Sequence, residues 1–541
     1  MTAPLSDTVS VTLTENTVAV AVAGFGTPML ISYGASFTGV RSYGLYADVT
    51  ADFGAGTPER IWAQRMFGQG RAPKVVKIFS ASNKPTQRVE LEAVAVRNSH
   101  AYVVNVSGVG ITSTAATYTS DASATAAEIH NGLLTALGSV PGNNYAVTFR
   151  ACPATDAAFT RSSGNILTSV AHGLQTGDGP VRATNSGGAL PGGLATGTDY
   201  YAIRLSADTY SLATSLANAL AGTAITLSDA GTGTHTLDVT ASSLSPHAGL
   251  VLTADTAGAF FALGVNFNDI EMSTTHADPG LESDLDDLLL ADSDWYVLHL
   301  LPHATSTAVA LVASAWAEAQ KRLYLADVTS TSAITSAVGG GGDDIADRLH
   351  TLAVKYTAVF VTPSQADQLA AAFAGKYLPS APGQMVAAFR RIAGVAPIAL
   401  TPTQRANLRA KCANWLEVKG GLGMIQDGRV AVGGGTGWID VTRDLDYLVS
   451  VVQTRVFSAL ASADRVGYDN AGIAVVETEL RAALEQVRRA GIINAGYALS
   501  VPLVADVADA DKALRVLPNV QFTCQLRGAI QSVDVVGTIQ L

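Results

Sequence analysis

Few residues of the chain combine the types and the spacing that metal binding or catalysis needs. His299 and His303 are four residues apart, which is the spacing that places two imidazoles on one face of a helix. Pro302 lies between them, at the end of an apolar run that indicates a strand rather than a helix. We therefore predict no metal site at this pair.

Two glycine runs are the nearest approach to a phosphate-binding loop. Gly339 to Gly342 and Gly433 to Gly437 both lack the lysine of the G-x-x-x-x-G-K-[ST] motif. Asp343 and Asp344 follow the first run and would repel an anion, so we interpret this run as a linker. The second run lies between two extended segments, where glycines mark a hairpin or a bulge.

Carboxylates are concentrated in one region. Between Leu205 and Gln320 the sequence has fourteen acidic residues and no lysine or arginine. Its densest part lacks the D-x-[DN]-x-[DN]-G pattern of a calcium loop, so we predict a solvated or partner-facing helix surface. The carboxylates of this densest part are Glu282, Asp284, Asp286, Asp287, Asp292 and Asp294.

Motifs of nucleophilic catalysis are also missing from the sequence. G-x-S-x-G is absent, and no cysteine has a persuasive histidine partner. We predict that the protein is not an enzyme and binds no cofactor.

Composition indicates a folded chain of several domains whose surface is largely covered by partners. Of 541 residues, 48% are hydrophobic and only 15% are charged, whereas an average chain has about 25% charged residues. A net charge of −11 without basic clusters disfavours nucleic-acid binding. Cys152, Cys412 and Cys524 are too few and too far apart for a disulfide framework, which indicates a reducing compartment. We expect no signal peptide and no membrane insertion.

The elements that must position these residues alternate in type along the chain. Short apolar runs start at Trp295, Arg322 and Ala358 and are separated by helical segments, which predicts an open sheet with parallel strands. Capping-box patterns at Thr125 and Ser364 predict helix starts. We predict a mixed α+β and α/β multidomain fold, with an open mixed sheet, flanking helices, inserted β-rich domains and extended terminal strands.

The same patterns set domain boundaries. Turn signals every eight to twelve residues between Asp156 and Leu237 predict a small all-β module inserted into another domain. The predicted division is 1–25, an N-terminal arm strand; 26–87, the first part of the core; 88–155 with 238–267, a middle α+β domain; 156–237, the inserted module; 281–430, an α/β domain; and 431–541, a C-terminal core region with an arm strand.

Both ends of the chain alternate apolar and polar residues with a period of two, which predicts strands. Such a strand either completes its own sheet or adds to the sheet of a neighbouring molecule. Glycines at the base of the first strand are our candidate hinge. The predicted assembly residues are Val9, Val11, Leu13, Val18, Val20, Val22, Gly24 and Gly26 at the N-terminus, and Phe522, Cys524, Leu526, Val533 and Val535 at the C-terminus.

The last hundred residues contain a helix pair. Leu445, Leu448, Val452, Val456 and Leu460 share one face of the first helix. The second helix has Ile473, Val476, Leu480, Leu484 and Val487 at helical spacing. On its wet side, the pairs Glu477 with Arg481 and Glu485 with Arg489 are predicted to form ion pairs.

These segments resemble the tail sheath proteins of contractile-tailed phages. The resemblance depends on the order of its motifs more than on any one of them, and it covers about half of the chain. The module from His172 to Leu237 is similar to small β domains of assorted phage structural proteins. The motifs that carry the resemblance are W-I-D-V-T-R-D from Trp438, Gly467 to Gly472, Ala510 to Ala513, Arg527 to Ile530, Ala23 to Gly26, and Phe67 to Gln69 before Pro73.

The resemblance implies a structural subunit with a sheath-type core. It implies that both terminal strands join the sheets of neighbouring subunits and link hexameric rings into a helical tube around an inner tail tube. The implied partners are other copies of the chain, the tail tube protein, and baseplate and tail terminator proteins. The implied location is the virion tail, with assembly in the host cytoplasm.

Three alternatives remain at this stage. Another phage tail or baseplate protein would form closed rings and never long tubes. An α/β ligand-binding enzyme would have a deep pocket beyond the strand ends, near His299, Asp327 and Thr362. A receptor-binding adhesin would expose aromatic side chains on the inserted module, where Tyr200, Tyr201 and Tyr210 instead alternate in a way that suits its own core.

Overall fold

The structure of the protein is a computed structural model. It describes residues 24–150, 157–170, 172–174, 176, 178–206, 208–215, 218–219, 222–238, 249–339, 344–432 and 437–531. The strands are β1 Pro28–Ser32, β2 Gly39–Tyr43, β3 Val76–Ser80, β4 Arg88–Ala93, β5 Ala101–Gly108, β6 Ile111–Thr119, β7 Tyr145–Phe149, β8 Ala157–Ser163, β9 Ile166–Thr168, β10 Val181–Ser186, β11 Asp199–Arg204, β12 Thr209–Ala213, β13 Thr234–Asp238, β14 Leu250–Ala254, β15 Phe261–Val265, β16 Ile270–Thr274, β17 Val297–Leu300, β18 Leu323–Val328, β19 Thr357–Val361, β20 Asn414–Lys419, β21 Leu422–Gln426, β22 Ala498–Ser500 and β23 Gln521–Thr523.

The helices are named in the same way. They are α1 Tyr46–Asp52, α2 Pro58–Phe67, α3 Ala126–Gly138, α4 Leu281–Ala291, α5 Thr307–Gln320, α6 Ser332–Thr335, α7 Ile345–Thr351, α8 Leu369–Tyr377, α9 Pro402–Ala410, α10 Ile439–Ser462, α11 Asn470–Ala490 and α12 Asp509–Ala513.

The core is one eight-stranded sheet in the order β2-β3-β1-β17-β18-β19-β20-β21. Its inner strands are parallel, while β2 and β21 pair antiparallel at the two ends. Parallel strands covered by helices on both faces require continuous apolar runs, and β17, β18 and β19 are buried at every position. The open mixed sheet with flanking helices is confirmed.

The middle region has separate sheets and its own apolar core. One sheet has the order β16-β4-β14-β7 and another has the order β15-β5-β6. Helix α3 packs between them through Ile129, Leu133 and Leu137. It begins at the predicted capping box, because Thr125 Oγ1 accepts a hydrogen bond from Glu128 N and the Glu128 carboxylate accepts one from Thr125 N.

The strands from Ala157 to Asp238 form a closed barrel in the order β10-β11-β12-β9-β8-β13. Closure leaves no unpaired sheet edge among these strands. Tyr200 and Tyr210 are buried in the barrel core, and Tyr201 packs partly buried on a smaller cluster beside it. None of the three offers the exposed ring that an adhesin site needs.

The C-terminal region is a helix pair with a two-stranded sheet. Helices α10 and α11 bury the predicted apolar face around Leu448, Val452 and Leu484, while β22 pairs with β23. Asp469 is the N-cap of helix α11, and its carboxylate accepts a hydrogen bond from Gly472 N. This region has its own core, separate from that of the large sheet.

Two local predictions were wrong. The helix predicted at Ser364 begins instead at Leu369, because Ser364 bridges to Gly264 and Gln365 N donates to Leu263 O. Tertiary strand pairing has therefore overridden the capping pattern. The Glu485 carboxylate pairs with Arg488 rather than with Arg489, which instead donates to the Glu485 backbone oxygen.

The glycine runs and the domain boundaries stay predictions. Of the first glycine run, Gly339 N donates to the Asp347 carboxylate, and the rest lies outside the described residues. The second run is described only at Gly437. We keep the domain boundaries as predictions and note that strands from 26–87 and 281–430 share the core sheet.

Candidate assembly surfaces

The base of the predicted N-terminal arm is a tight turn held against the core. Thr27 N donates to Gly24 O at 2.7 Å, and Gly24 has a φ of +79°, which favours glycine. A Cβ at this position would lie 2.9 Å from the Asp294 carbonyl carbon and from Trp295 N. Gly26 also approaches the core closely, at Leu378 O. The arm residues Val9 to Val22 lie outside the described part of the chain.

Phe25 connects this turn to both the core and the C-terminal region. Its ring centroid lies 4.9 Å from that of Tyr296 in the core and 5.6 Å from that of Tyr447 on α10. Its carbonyl oxygen accepts a hydrogen bond from Arg443 Nη2 at 2.9 Å. Arg443 is buried, and its guanidinium also lies 5.0 Å from the ring centroid of Tyr377. The start of the described chain is therefore fixed on the long C-terminal helix.

A buried carboxylate joins the same helix to the core sheet. Asp446 accepts hydrogen bonds from Tyr296 OH at 2.7 Å and from Tyr356 OH at 2.8 Å. Burial raises the pKa of Asp446 to about 7, and the two hydroxyl donors oppose that rise. Asp444 accepts from Gly383 N at 2.7 Å, and burial raises its pKa to about 7 as well.

Helix α10 belongs to two cores. Ile439, near its start, packs in the core of the large sheet, whereas Leu448, Val452 and Val456 pack in the C-terminal core. Because the helix is continuous from one core to the other, it sets the position of the C-terminal region relative to the core. A displacement of the C-terminal region would have to bend α10 or break the contacts of Arg443 and Asp446.

The two-stranded sheet includes the described part of the predicted C-terminal arm. Phe522 pairs with Leu499, and Leu526 forms a bridge with Ile493. Phe522, Cys524 and Leu526 are partly buried against α10 and α11. Val533 and Val535 lie outside the described residues. Up to residue 526, the C-terminal strand therefore pairs within its own chain.

This region exposes large apolar side chains. Leu503, Leu514 and Ile530 are 59%, 73% and 85% exposed. Within the described residues, β22 and β23 each have a neighbour on one side only, so the other edge of each has unpaired backbone groups. Two-stranded sheets are marginally stable without further strands or packing. Open edges and exposed apolar groups together are typical of a surface that another chain covers.

The histidines and the aspartate that the sequence analysis considered for a metal site or an enzyme pocket are buried in the core. His299 packs on Trp62 and His303 on Phe260, and burial lowers the pKa of each histidine to about 3. Both are therefore neutral at pH 7. Asp327 is buried and accepts from Ala370 N. Among the residues that the structure describes, no group of three or more His, Cys, Asp or Glu side chains could hold a metal ion.

An open cleft of about 570 Å³ lies on the barrel, between strand β8 and residues 230–235, and not at the strand ends of the core sheet. In the described ranges no helix is both long and apolar enough to cross a bilayer.

Sequence reasoning missed Phe25, Tyr296, Tyr356, Arg443 and Asp446. The sequence did contain one sign of these contacts. Arg443 and Asp446 are three residues apart, so two charged side chains share a face of a helix that also has a long apolar stripe. Periodicity alone does not separate a buried polar pair from a wet face.

Comparison with known proteins supports the C-terminal assignment. Residues 439–539 match the family model described as E217 tail sheath protein gp31-like, C-terminal domain. The match begins one residue after Trp438, the start of the motif block that carried the predicted resemblance. The resemblance to tail sheath proteins is confirmed for this region. A search of curated proteins finds no match to the chain.

Several solved structures are similar to the chain at low identity. The sheath tail protein of Desulfitobacterium hafniense is 11% identical, with 91% of this chain and 93% of that chain covered and a TM-score of 0.39. The sheath tail protein of Listeria innocua is 8% identical, with 92% and 91% covered and a TM-score of 0.38. The contracted helical sheath of the anti-feeding prophage is 16% identical, with 49% and 74% covered and a TM-score of 0.36.

Proposed function

We propose that this chain, whose residues 439–539 match the model of a tail sheath C-terminal domain, is the subunit of a contractile sheath. Copies of the chain polymerise into a helical tube around an inner tail tube. The assembled sheath shortens and widens when the baseplate triggers it, and drives the tube through the host envelope. No nucleotide or metal takes part.

This proposal depends on the C-terminal sheet, which has only two strands in the described chain. In the described chain, strands β22 and β23 each have one open edge, and Leu503 and Leu514 of the same region are exposed. The sequence predicts a strand within residues 1–25, with apolar residues at every second position. An arm strand from a neighbouring subunit would pair with an open edge through backbone hydrogen bonds and bury its alternate side chains.

The arm base suits a joint that bears load. Phe25, Arg443 and Asp446 fix the point where the arm leaves the core to the helix that leads to the C-terminal sheet. A pull on the arm is therefore transmitted to α10 of the same subunit. Head-to-tail links that do not close on one copy generate helical assemblies.

Contraction needs only a modest gain in each subunit. If repacking buries about 100 Å² more apolar surface per copy, it gains ~2.5 kcal/mol per copy at about 25 cal/mol per Å². Many copies contract together, so the total drives mechanical work. The partners in this proposal are other copies, the tail tube protein, and baseplate and tail terminator proteins. The location is the virion tail, after assembly in the host cytoplasm.

Negative-stain electron microscopy of the purified full chain tests this function, beside a version that lacks residues 1–23. We expect hollow striated tubes from the full chain and unassembled subunits from the truncated version. Closed rings without tubes would favour another tail or baseplate component. Compact unassembled particles from both versions, at every concentration and ionic strength tried, would contradict the proposal.

A further inference from the structure

The two ends of the core sheet carry opposite charge, and both expose apolar side chains. We propose that these ends bind each other in neighbouring copies of the chain, as a head-to-tail contact that involves neither terminal arm. This inference deepens the sheath function proposed above and rests on it. One surface, the hairpin end, consists of Phe389, Arg391, Val418, Lys419 and Leu422. The other surface, the α4 end, consists of Glu282, Asp286, Asp287 and Leu290.

The hairpin end is only partly covered by its own chain. Strand β21 is the last strand of the sheet, and residues 389–391 cover half of it: Phe389 N donates to Ile425 O, and Ile425 N donates to Arg390 O. In the described chain, no strand lies beside Leu422 at the tip. Val418 is 56% exposed, and Phe389 and Leu422 are 37% exposed.

Cations surround these exposed apolar groups. Lys419 Nζ lies 5.6 Å from the Phe389 ring centroid, and Arg391 is exposed beside Met424. Neither Lys419 nor Arg391 forms an ion pair with any residue that the structure describes. Both charges are therefore available to a partner of opposite charge.

The α4 end lies at the other end of the same sheet. Helix α4 packs beside β2, and Asp292, just after the helix, pairs with Lys77 of β3 at 2.7 Å. Glu282, Asp286, Asp287 and Leu290 follow the spacing of one helix face and are exposed, with Leu290 at 59%. No lysine or arginine occurs in the sequence between Leu205 and Gln320, so the helix carries no neutralising charge of its own.

A second copy of the chain is the occupant that fits both surfaces. Each copy has one acidic and one basic end, so each copy binds one neighbour at each end, and such heterologous contacts produce rings or helical filaments. The chain has a net charge of −11, so copies repel one another at long range, and a stable contact needs opposite charges that face each other. The exposed apolar groups on both sides give the contact area that charges alone do not supply.

A competing explanation is that the charges at the two ends only keep the chain soluble and prevent unspecific pairing. Lysine at a sheet edge prevents random strand pairing, and an acidic helix face is often only solvated. On that explanation, reversing charge at either end leaves specific assembly unchanged. A compensation experiment separates the two explanations.

Three full-chain variants test the contact. One reverses the hairpin end, Arg391→Glu with Lys419→Glu; one reverses the α4 end, Glu282→Lys with Asp287→Lys; and one combines all four changes. A control, Arg88→Glu with Arg182→Glu, makes the same change in net charge at exposed positions of other domains, where each arginine pairs with a carboxylate of its own chain. The assembled fraction is measured by sedimentation and microscopy at low ionic strength, where charge contacts are least screened. Unfolding temperatures verify that each variant folds.

We expect each single-end variant to reduce the assembled fraction at least tenfold, and the combined variant to recover to within about threefold of the wild type. The control should assemble like the wild type. Tubes from the wild type and equally from both single-end variants would overturn this inference alone. So would a combined variant that assembles no better than its parents. A wild-type chain that never assembles would overturn the sheath function itself.

Discussion

The core sheet and the C-terminal sheet are built from similar apolar strands but differ in what completes them. Met29, Leu30 and Ile31 in β1 are fully buried, with a parallel strand on each side. Leu499 and Phe522 in the C-terminal sheet are only partly buried, and each strand has one neighbour in the described chain. The middle strands of the core sheet are thus paired on both sides within one molecule, whereas each strand of the C-terminal sheet has an open edge in the described chain.

This difference indicates that the core sheet determines the stability of a single subunit and that the C-terminal sheet takes part in association. Substitutions in the core should change the free energy of unfolding of a single subunit. Substitutions in the C-terminal sheet should change association and leave the isolated subunit nearly as stable as before. The junction formed by Phe25, Arg443 and Asp446 lies between the two and should affect both.

The largest expected effect is on the core. Leu298→Ala in β17 removes a fully buried side chain from the middle of the sheet and should cost about 2–5 kcal/mol in the free energy of unfolding. Leu499→Ala in β22 is the matched change at a partly buried position and should cost less than about 1 kcal/mol. Denaturant unfolding of unassembled subunits measures both. Equal losses at the two positions would contradict the comparison.

The junction should show an intermediate effect. Tyr356→Phe removes one of the two hydroxyl donors to buried Asp446. Well above the Asp446 pKa of about 7, where the carboxylate is charged, this should cost about 1.5–3 kcal/mol, the range for hydrogen bonds to a charged group. Tyr210→Phe in the barrel is the control, because the buried Tyr210 hydroxyl has no hydrogen-bond partner among the described residues. Its removal should be close to neutral. If Tyr356→Phe is as stable as this control, the hydrogen bonds to Asp446 do not stabilise the junction.

Two buried groups, one in the core and one at the junction, should respond to pH with opposite sign. His299 has a folded pKa of about 3, below its ordinary 6.5, so its contribution to stability is lost as pH falls below 6.5, by ~2 kcal/mol at pH 5. Asp446 has a folded pKa of about 7, above its ordinary 3.8, so its contribution is lost as pH rises toward 7 and is regained on acidification.

Two variants separate these contributions. Between pH 7 and pH 5, His299→Leu should lose less stability than the wild type, and Asp446→Asn should lose more, each by on the order of 2 kcal/mol. Urea unfolding at the two pH values measures the differences. Parallel pH dependence in all three proteins would show that neither group titrates as its burial requires.

The smallest effect is expected at the arm base. Gly24→Ala forces a Cβ against Asp294 at positive φ and should cost about 1–2 kcal/mol. Gly54→Ala is the control, because nothing lies within 4 Å of its added Cβ and its φ is not positive. If Gly24→Ala leaves both stability and tube formation unchanged, the turn does not fix the arm.

The sequence predicts elements in this protein better than it predicts their partners. The apolar runs at Trp295, Arg322 and Ala358 correctly indicate parallel strands because burial on both faces leaves a local pattern. The insertion of β1 between β3 and β17 leaves no such pattern, because that pairing joins segments more than two hundred residues apart. The Ser364 capping pattern fails for the same reason, since a distant strand pairs with it.

The assembly surfaces divide in the same way. Alternation indicates the strand at Phe522, and helical spacing indicates the α10 face around Leu448 and Val452. The partners of Asp446 are tyrosines 150 and 90 residues away in the chain, which no local pattern reveals. Arg443 donates to a carbonyl 418 residues away, so its role appears only once the chain is folded.

The central claim is that strands from neighbouring subunits complete the C-terminal sheet, and amide hydrogen exchange measured on unassembled and assembled full-length chains tests it directly. We expect the amides of β22 and β23 to exchange at least about tenfold more slowly in tubes, while those of β1 and β17 to β19 remain unchanged. Equal exchange of β22 and β23 in both states, in tubes that do form, would contradict the claim.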